Sequence, residues 1–252
     1  MRSIVYSTFI IALIALTTSC NSDDEPTANE IIDKAFIVAG ADLMNEAEIR
    51  FDFRDHSYSV KRSNGLFDMR RYTYVAADSV IMDKYHNYGF QRFLNDSMIS
   101  IPDSMAQKYQ ASVNSVIYFF SLPHGLKDPA VNAALLGTTQ IKGEDYYKIK
   151  VWFDEAGGGE DHEDIFLYWI HTANYTVDYL AYSYNTDGGG MRFRAATNPR
   201  TLEGIRVVDY VNYKPADPSV ALVELDRLFE AGDLEVLSQI ENDNVTISLI
   251  KG

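Results

Sequence analysis

The segment 154–164, DEAGGGEDHED, gathers the densest set of ligand atoms in the chain. Carboxylates are hard oxygen donors, and several converging on one point would hold Ca²⁺. Asp154, Glu160 and Asp161 are the candidates within this loop. Asp187, beside a second glycine triplet at 188–190, can join them from across the end of a sheet. The spacing departs from an EF-hand, which needs ligands at alternate positions and glycine at the sixth. The competing reading is a solvated hairpin connection whose glycines at 157–159 allow positive φ. No cofactor is required on that reading, and Ca²⁺ is the one ion the residues leave open.

Arg192 and Arg194 fall on one face of MRFR (191–194), next to the second glycine triplet. Two adjacent guanidiniums can grip a carboxylate or phosphate. They can equally pair with the acidic loop and close the rim. Trp152, Trp169 and Tyr182 belong to an aromatic stock that either lines an apolar ligand cavity or fills a core. These three aromatics and two arginines form the candidate ligand-binding set. The five histidines show no HExxH or comparable ligand spacing, and GxSxG, GxGxxG and Walker loops are absent. No catalytic residue is nominated, and the reading leans away from an enzyme.

Several elements must position these groups. Five runs, 145–153, 163–171, 176–184, 190–197 and 204–213, are rich in β-branched and aromatic residues and bounded by Gly, Asp, Asn or Thr. They predict an antiparallel meander. Its two glycine triplets then lie at the same end of the sheet, roughly 10 Å apart. Both faces of 163–171 are apolar, so the sheet should curl around packed helices.

Upstream, Thr27 and Glu30 form a capping box for a helix over 28–39. Three strands follow at 47–54, 57–62 and 66–76, with Asn64-Gly65 as a hairpin turn. Residues 79–95 allow one or two more. A second helix spans 103–121, a short helical turn is expected over 128–135, and a strand over 136–143. A third helix carries Leu222, Leu225, Leu228 and Phe229, and 244–250 reads as a last strand. Strands group together and no βαβ alternation occurs. The expected class is therefore α+β, an antiparallel curled sheet or half-barrel with helices on its concave face.

Arg2 precedes the apolar run Ile4–Leu16, which is too short to span a bilayer and suits a signal-peptide core over 1–19. The single cysteine, Cys20, stands directly after it in LTTSC, which resembles a lipobox whose thiol is acylated. A plain secretory signal is the alternative. An acidic tether at 20–27 would then carry one domain over 28–252. The formal charge of −14 disfavours nucleic acid and anionic headgroups as partners.

With Cys20 and the stretch YYKIKVWFDEAGGGEDHEDIFLYWIHTANYTVDYLAYSYNTDGGGMRFR in view, the chain resembles a domain-of-unknown-function family of Bacteroidota lipoproteins. The similarity runs over nearly all of 28–242, and the two Gly-triplet loops are its most specific marks. That family in turn looks distantly like the LolA/LolB group, half-barrels that carry lipoprotein acyl chains. The resemblance implies a monomeric outer-membrane lipoprotein on the periplasmic or surface face. Its implied ligand is a lipid or a lipoprotein acyl chain, and no catalytic residues come with it. A surface interaction or Ca²⁺-stabilised structural module is the alternative function.

Overall fold

The computed structural model describes residues 25–156, 163–185 and 188–250. The chain begins as its cap dictates. The Thr27 hydroxyl accepts from the Glu30 amide at 3.3 Å while the Glu30 carboxylate accepts from the Thr27 amide at 2.8 Å. The first helix α1, Ala28–Val38, follows and buries Ile31, Ile32 and Ala35. It ends at Gly40, whose φ of 62° and close approach to the Gly204 carbonyl (2.1 Å from where a Cβ would stand) exclude other residues.

Strands β1 Ala47–Phe53, β2 His56–Ser63, β3 Leu66–Ala76, β4 Ser79–His86, β5 Gly89–Leu94 and β6 Ser97–Ile99 pair in sequence. Asn64 and Gly65 both take positive φ, and Ser63 faces Leu66, the two-residue hairpin expected of Asn-Gly. The helix α2, Asp103–Phe120, then crosses to the second sheet. Strands β7 Val131–Ile141, β8 Glu144–Phe153, β9 Ile165–His171, β10 Val177–Tyr184, β11 Gly190–Leu202 and β12 Ile205–Pro215 form the predicted meander. A short helix α3, Leu225–Ala231, precedes β13 Leu234–Ile240 and β14 Asp243–Leu249.

The result is α+β with antiparallel, unclosed sheets, as expected. Among the described residues there are two seven-stranded sheets instead of one, ordered β14-β1-β2-β3-β4-β5-β6 and β13-β12-β11-β10-β9-β8-β7. They meet where β13 passes directly into β14. Buried Asn242 pins this corner: its amide reaches Asp209 Oδ1 (3.0 Å), its Nδ2 reaches the Val208 carbonyl (2.8 Å), and Arg200 donates to its carbonyl (2.6 Å).

Two local expectations are corrected. Residues 131–135 are strand, not a helical turn, because Ala133 and Leu135 pair with Val151 and Ile149 and pack on the core. Tertiary pairing overrides the helical preference of Ala and Leu here. The edge strand β13 was not anticipated, since beyond Leu234 most of its side chains are exposed and offer a weak pattern.

Three cores result. Between the sheets, α2 turns Val113, Ile117 and Phe120 toward β1, β2 and β3, with Phe120 stacked 3.9 Å from Phe51. Its Tyr118 and Phe119 face sheet two, where α1 also packs on Ile149, Val151 and Tyr168. The opposite face of sheet two is covered by α3, which buries Trp169, Phe193 and Leu167. A sheet covered on both sides explains why its strands are apolar on both faces.

Candidate functional site

The inner faces carry an unusual number of cations. Strand alternation sends Tyr58, Val60 and then Arg62 inward along β2. On β11 it sends Arg194 and Ala196 inward, beneath α2. Most inward cations have an acid beside them. Arg71 and Arg92 both grip Asp83 (2.7 Å each), Arg200 meets Asp209 (3.1 Å), and Arg206 meets Asp178 (2.8 Å). Arg62 and Arg194 have no such partner among the described residues.

Arg194 is compensated in another way. Its guanidinium carbon lies 3.9 Å from the Phe119 ring centroid, and Nη2 donates to the Tyr182 hydroxyl at 2.9 Å. Burial holds the group below its ordinary arginine value, and Nε has no partner. A void of about 80 Å³ adjoins it, lined by Phe53, Val116, Phe119, Phe120, Tyr210 and Ile240. Among the described residues, α1 and the Tyr118–Phe119 pair pack against this part of the concave aromatic face.

The larger opening lies on the other flank of α2. A cleft of about 680 Å³ runs between the ends of β2, β3 and β4, the C-terminal end of α2 and the turn at 124–129. That is within the range of roughly 300–1,000 Å³ typical of small-molecule sites. Phe67, Met69 and Tyr85 supply apolar wall, and Leu66 stands at the rim, half exposed. Arg62, Ser121, His124, Asn45 and Asn114 supply the polar side. Arg62 Nη1 and Ser121 Oγ are buried and have no hydrogen-bond partner. His124 Nε2 lies 3.0 Å from Asn45 Oδ1.

Burial, reinforced by the charge of Arg62, pushes the His124 imidazole down to about 4. The ring is neutral at pH 7. An unfolded histidine titrates near ~6.5, so between there and pH 4 the unfolded chain binds a proton that the folded chain refuses. Stability is full above about pH 6.5 and falls as the pH drops toward 4, by roughly 3 kcal/mol at most. In urea titrations across this window, His124→Gln should flatten that part of the curve. An unchanged slope would show that the imidazole is not held neutral.

The sequence candidates are scattered. Tyr182 and Arg194 meet beneath α2, as described. Arg192 lies nearer the rim, donating to the Met191 carbonyl (2.8 Å) with its guanidinium 5.0 Å from the Tyr184 ring. The pairing of these arginines with the acidic loop rests on residues 157–162, which lie outside the described residues. Trp152 sits more than a third exposed on β8, one strand in from the sheet edge. Trp169 is corrected outright as a concave-face residue: it is fully buried on the opposite face, where Nε1 donates to Asp226 Oδ2 at 3.1 Å.

Asp154 accepts from Asn132 Nδ2 at 2.8 Å. Glu160, Asp161 and Asp187 lie outside the described residues, as does Cys20. Among the described residues no three metal-ligating side chains cluster. No described helix is long and apolar enough to cross a membrane. Sequence reasoning missed Arg62; the signal available was an arginine continuing the inward alternation of Tyr58 and Val60.

Solved structures similar in chain course include three proteins. A DUF1329 family protein from Desulfovibrio piger is 13% identical, with 86% of this chain and 92% of that one covered and a TM-score of 0.49. A LolA superfamily protein from Nitrosomonas europaea is 14% identical, with coverage of 90% and 95% and a TM-score of 0.48. An outer membrane lipoprotein-sorting protein domain from Vibrio parahaemolyticus is 8% identical, with coverage of 88% and 93% and a TM-score of 0.46. Comparison with curated proteins returns no match. A family model, by contrast, matches residues 6–242, and the chain therefore belongs to DUF6503, a family of unknown function.

Proposed function

We propose that this protein is a lipid-anchored cell-envelope protein that binds an amphipathic ligand, with an acyl or similar apolar portion, in the cleft beside α2. The single observation that carries the reading is the cleft itself, which combines ligand size with an apolar wall and a polar side. Burial of ligand methylenes against Phe67, Met69 and Tyr85 would contribute roughly 0.8 kcal/mol each. Anchoring rests on the LTTSC sequence, with Cys20 acylated, 1–19 removed and 28–252 forming one domain on the periplasmic or surface face. A protein held permanently at a membrane suits reception or retention of such a ligand better than shuttling it.

The test uses native mass spectrometry of the acylated, detergent-solubilised chain after release from its micelle. Covalent acyl groups survive collisional activation, whereas a bound amphiphile is lost as a discrete mass. Asn114 lines the cleft from the exposed side of α2, so Asn114→Trp should occlude it at little cost to folding. The variant is expected to lose the bound mass and at least about 1.4 kcal/mol, tenfold, of affinity for added amphiphile. Retention of both would remove the cleft from consideration.

A further inference from the structure

We propose that the cleft is an anion site, in which Arg62 and the Ser121 hydroxyl take the carboxylate or phosphate end of an anionic, single-headed amphiphile. This rests on the cleft being the ligand site and names the chemistry of the ligand's polar end.

The argument starts from what Arg62 lacks. It is the inward residue after Tyr58 and Val60 on β2, opposite Ala47 on one side and Phe67 on the other. Its Nη1 is buried without a partner, and among the described residues no acid forms an ion pair with it. The other uncompensated guanidinium, Arg194, has Phe119 against its face and the Tyr182 hydroxyl on Nη2. Arg62 has neither among the described residues. Scarcity of acids is no explanation, because 36 carboxylate side chains face 22 basic ones in this chain. An unpaired cation taken out of water is costly, and folds generally pair or expose it.

The two carboxylates that do line the cleft are engaged elsewhere. Glu46 accepts from Ser63 Oγ at 2.6 Å and from the Asn64 amide at 2.7 Å. Asp128 Oδ1 accepts from the Ala130 amide at 2.9 Å. Neither neutralises Arg62, whose value is lowered to about 10 by burial alone, so it stays charged at neutral pH. The neighbouring imidazole is neutral and adds no second charge. One unpaired cation, one free hydroxyl and an apolar wall fit an anionic head on an apolar chain, with Glu46 and Asp128 held at the margin by their own donors. A planar guanidinium donates two parallel N–H bonds to a carboxylate or phosphate, which a neutral alcohol cannot receive with comparable strength.

The experiment compares three probes sharing a sixteen-carbon chain: palmitate, hexadecyl phosphate and hexadecanol. Binding is measured by calorimetry to the detergent-solubilised full chain, with inorganic phosphate as a fourth, chainless probe. An anionic probe is expected to bind roughly 10- to 100-fold tighter than hexadecanol. Arg62→Gln should erase that ratio and leave hexadecanol binding in place, and Asn114→Trp should weaken every chain-bearing probe. Palmitate ahead of hexadecyl phosphate identifies a carboxylate head; the reverse order identifies a phosphate.

Equal binding of all three, unchanged in Arg62→Gln, would overturn the anion proposal and leave the cleft reading standing. Binding of inorganic phosphate at Arg62 with no gain from a chain would keep the anion site and overturn the amphiphile. No binding of any probe would overturn both. A second measurement is independent of ligands. Ligand-free Arg62→Met should melt at or above the wild-type temperature, since it removes an unpaired, partly buried charge. A drop of several degrees would show that Arg62 serves the fold and would sink the proposal.

Discussion

Asp83→Ala is expected to lower the unfolding free energy by about 3–5 kcal/mol and to loosen α2 from the first sheet. Asp83 is fully buried on β4, and cross-strand register places Arg71 of β3 on one side of it and Arg92 of β5 on the other. Arg71 donates to Oδ2 from Nη2 (2.7 Å) and Nε (3.2 Å); Arg92 donates to Oδ1 from Nε (2.7 Å) and to Oδ2 from Nη2 (3.1 Å).

Both guanidiniums are then used to hold α2. Arg71 Nη1 reaches Ser112 Oγ at 2.8 Å, and Arg92 lies 3.5 Å from the Tyr109 ring centroid. Alanine leaves two desolvated cations facing each other, so the repulsion and the lost hydrogen bonds add. Chemical denaturation measures the loss. A double replacement, Asp83→Leu with Arg71→Met, should cost less than Asp83→Ala, because it also removes one orphaned charge. If the single variant loses under about 1 kcal/mol, the row does not clamp the helix.

Local signals were the legible part of this fold. Thr27 with Glu30, and Asn64 with Gly65, act within four residues, so their geometry is written in adjacent side chains. The meander was legible because each of its strands is long and aromatic enough to stand out between turn residues. The both-faced apolarity of β9 reads from sequence as a sheet curling around helices on its concave side, whereas in the structure it reflects cover on both faces. What covers each face was not legible, because α3 comes from residues 225–231, more than fifty positions away.

That gap misplaced Trp169, whose parity opposite Tyr168 puts it under α3 and not toward α2. The division into two sheets was equally hidden, since it depends on β14 returning to β1 across most of the chain's length. Arg62 shows the same limit at the candidate site. Its inward direction follows from alternation along β2, but its lack of an acid is a property of every element around it.

Asp226→Ala should cost about 3 kcal/mol and free α3 while leaving the cleft beside α2 intact. The Asp226 carboxylate, nearly buried, takes Lys148 Nζ at 2.8 Å, the Trp169 indole N–H at 3.1 Å and the Arg227 amide at 2.9 Å. Lys148 donates also to the Val223 carbonyl at 2.6 Å, which ties the turn before α3 to β8. Seven residues are too few for an autonomous helix, so α3 persists only through these bonds and the packing of Leu225 and Phe229.

Removing the carboxylate strands a mostly buried ammonium and an indole donor at once. In a Trp152→Phe background Trp169 is the only tryptophan, and its emission should shift to the red as water reaches it. Sheet two lies between α3 and α2, and its inner layer is packed by separate residues. Amphiphile affinity at the cleft should therefore stay within about twofold of wild type, the additivity expected of sites that share no partner. A concurrent collapse of that affinity would mean that the two faces of sheet two form one cooperative unit, with α3 acting on the cleft through Tyr168 and Trp169.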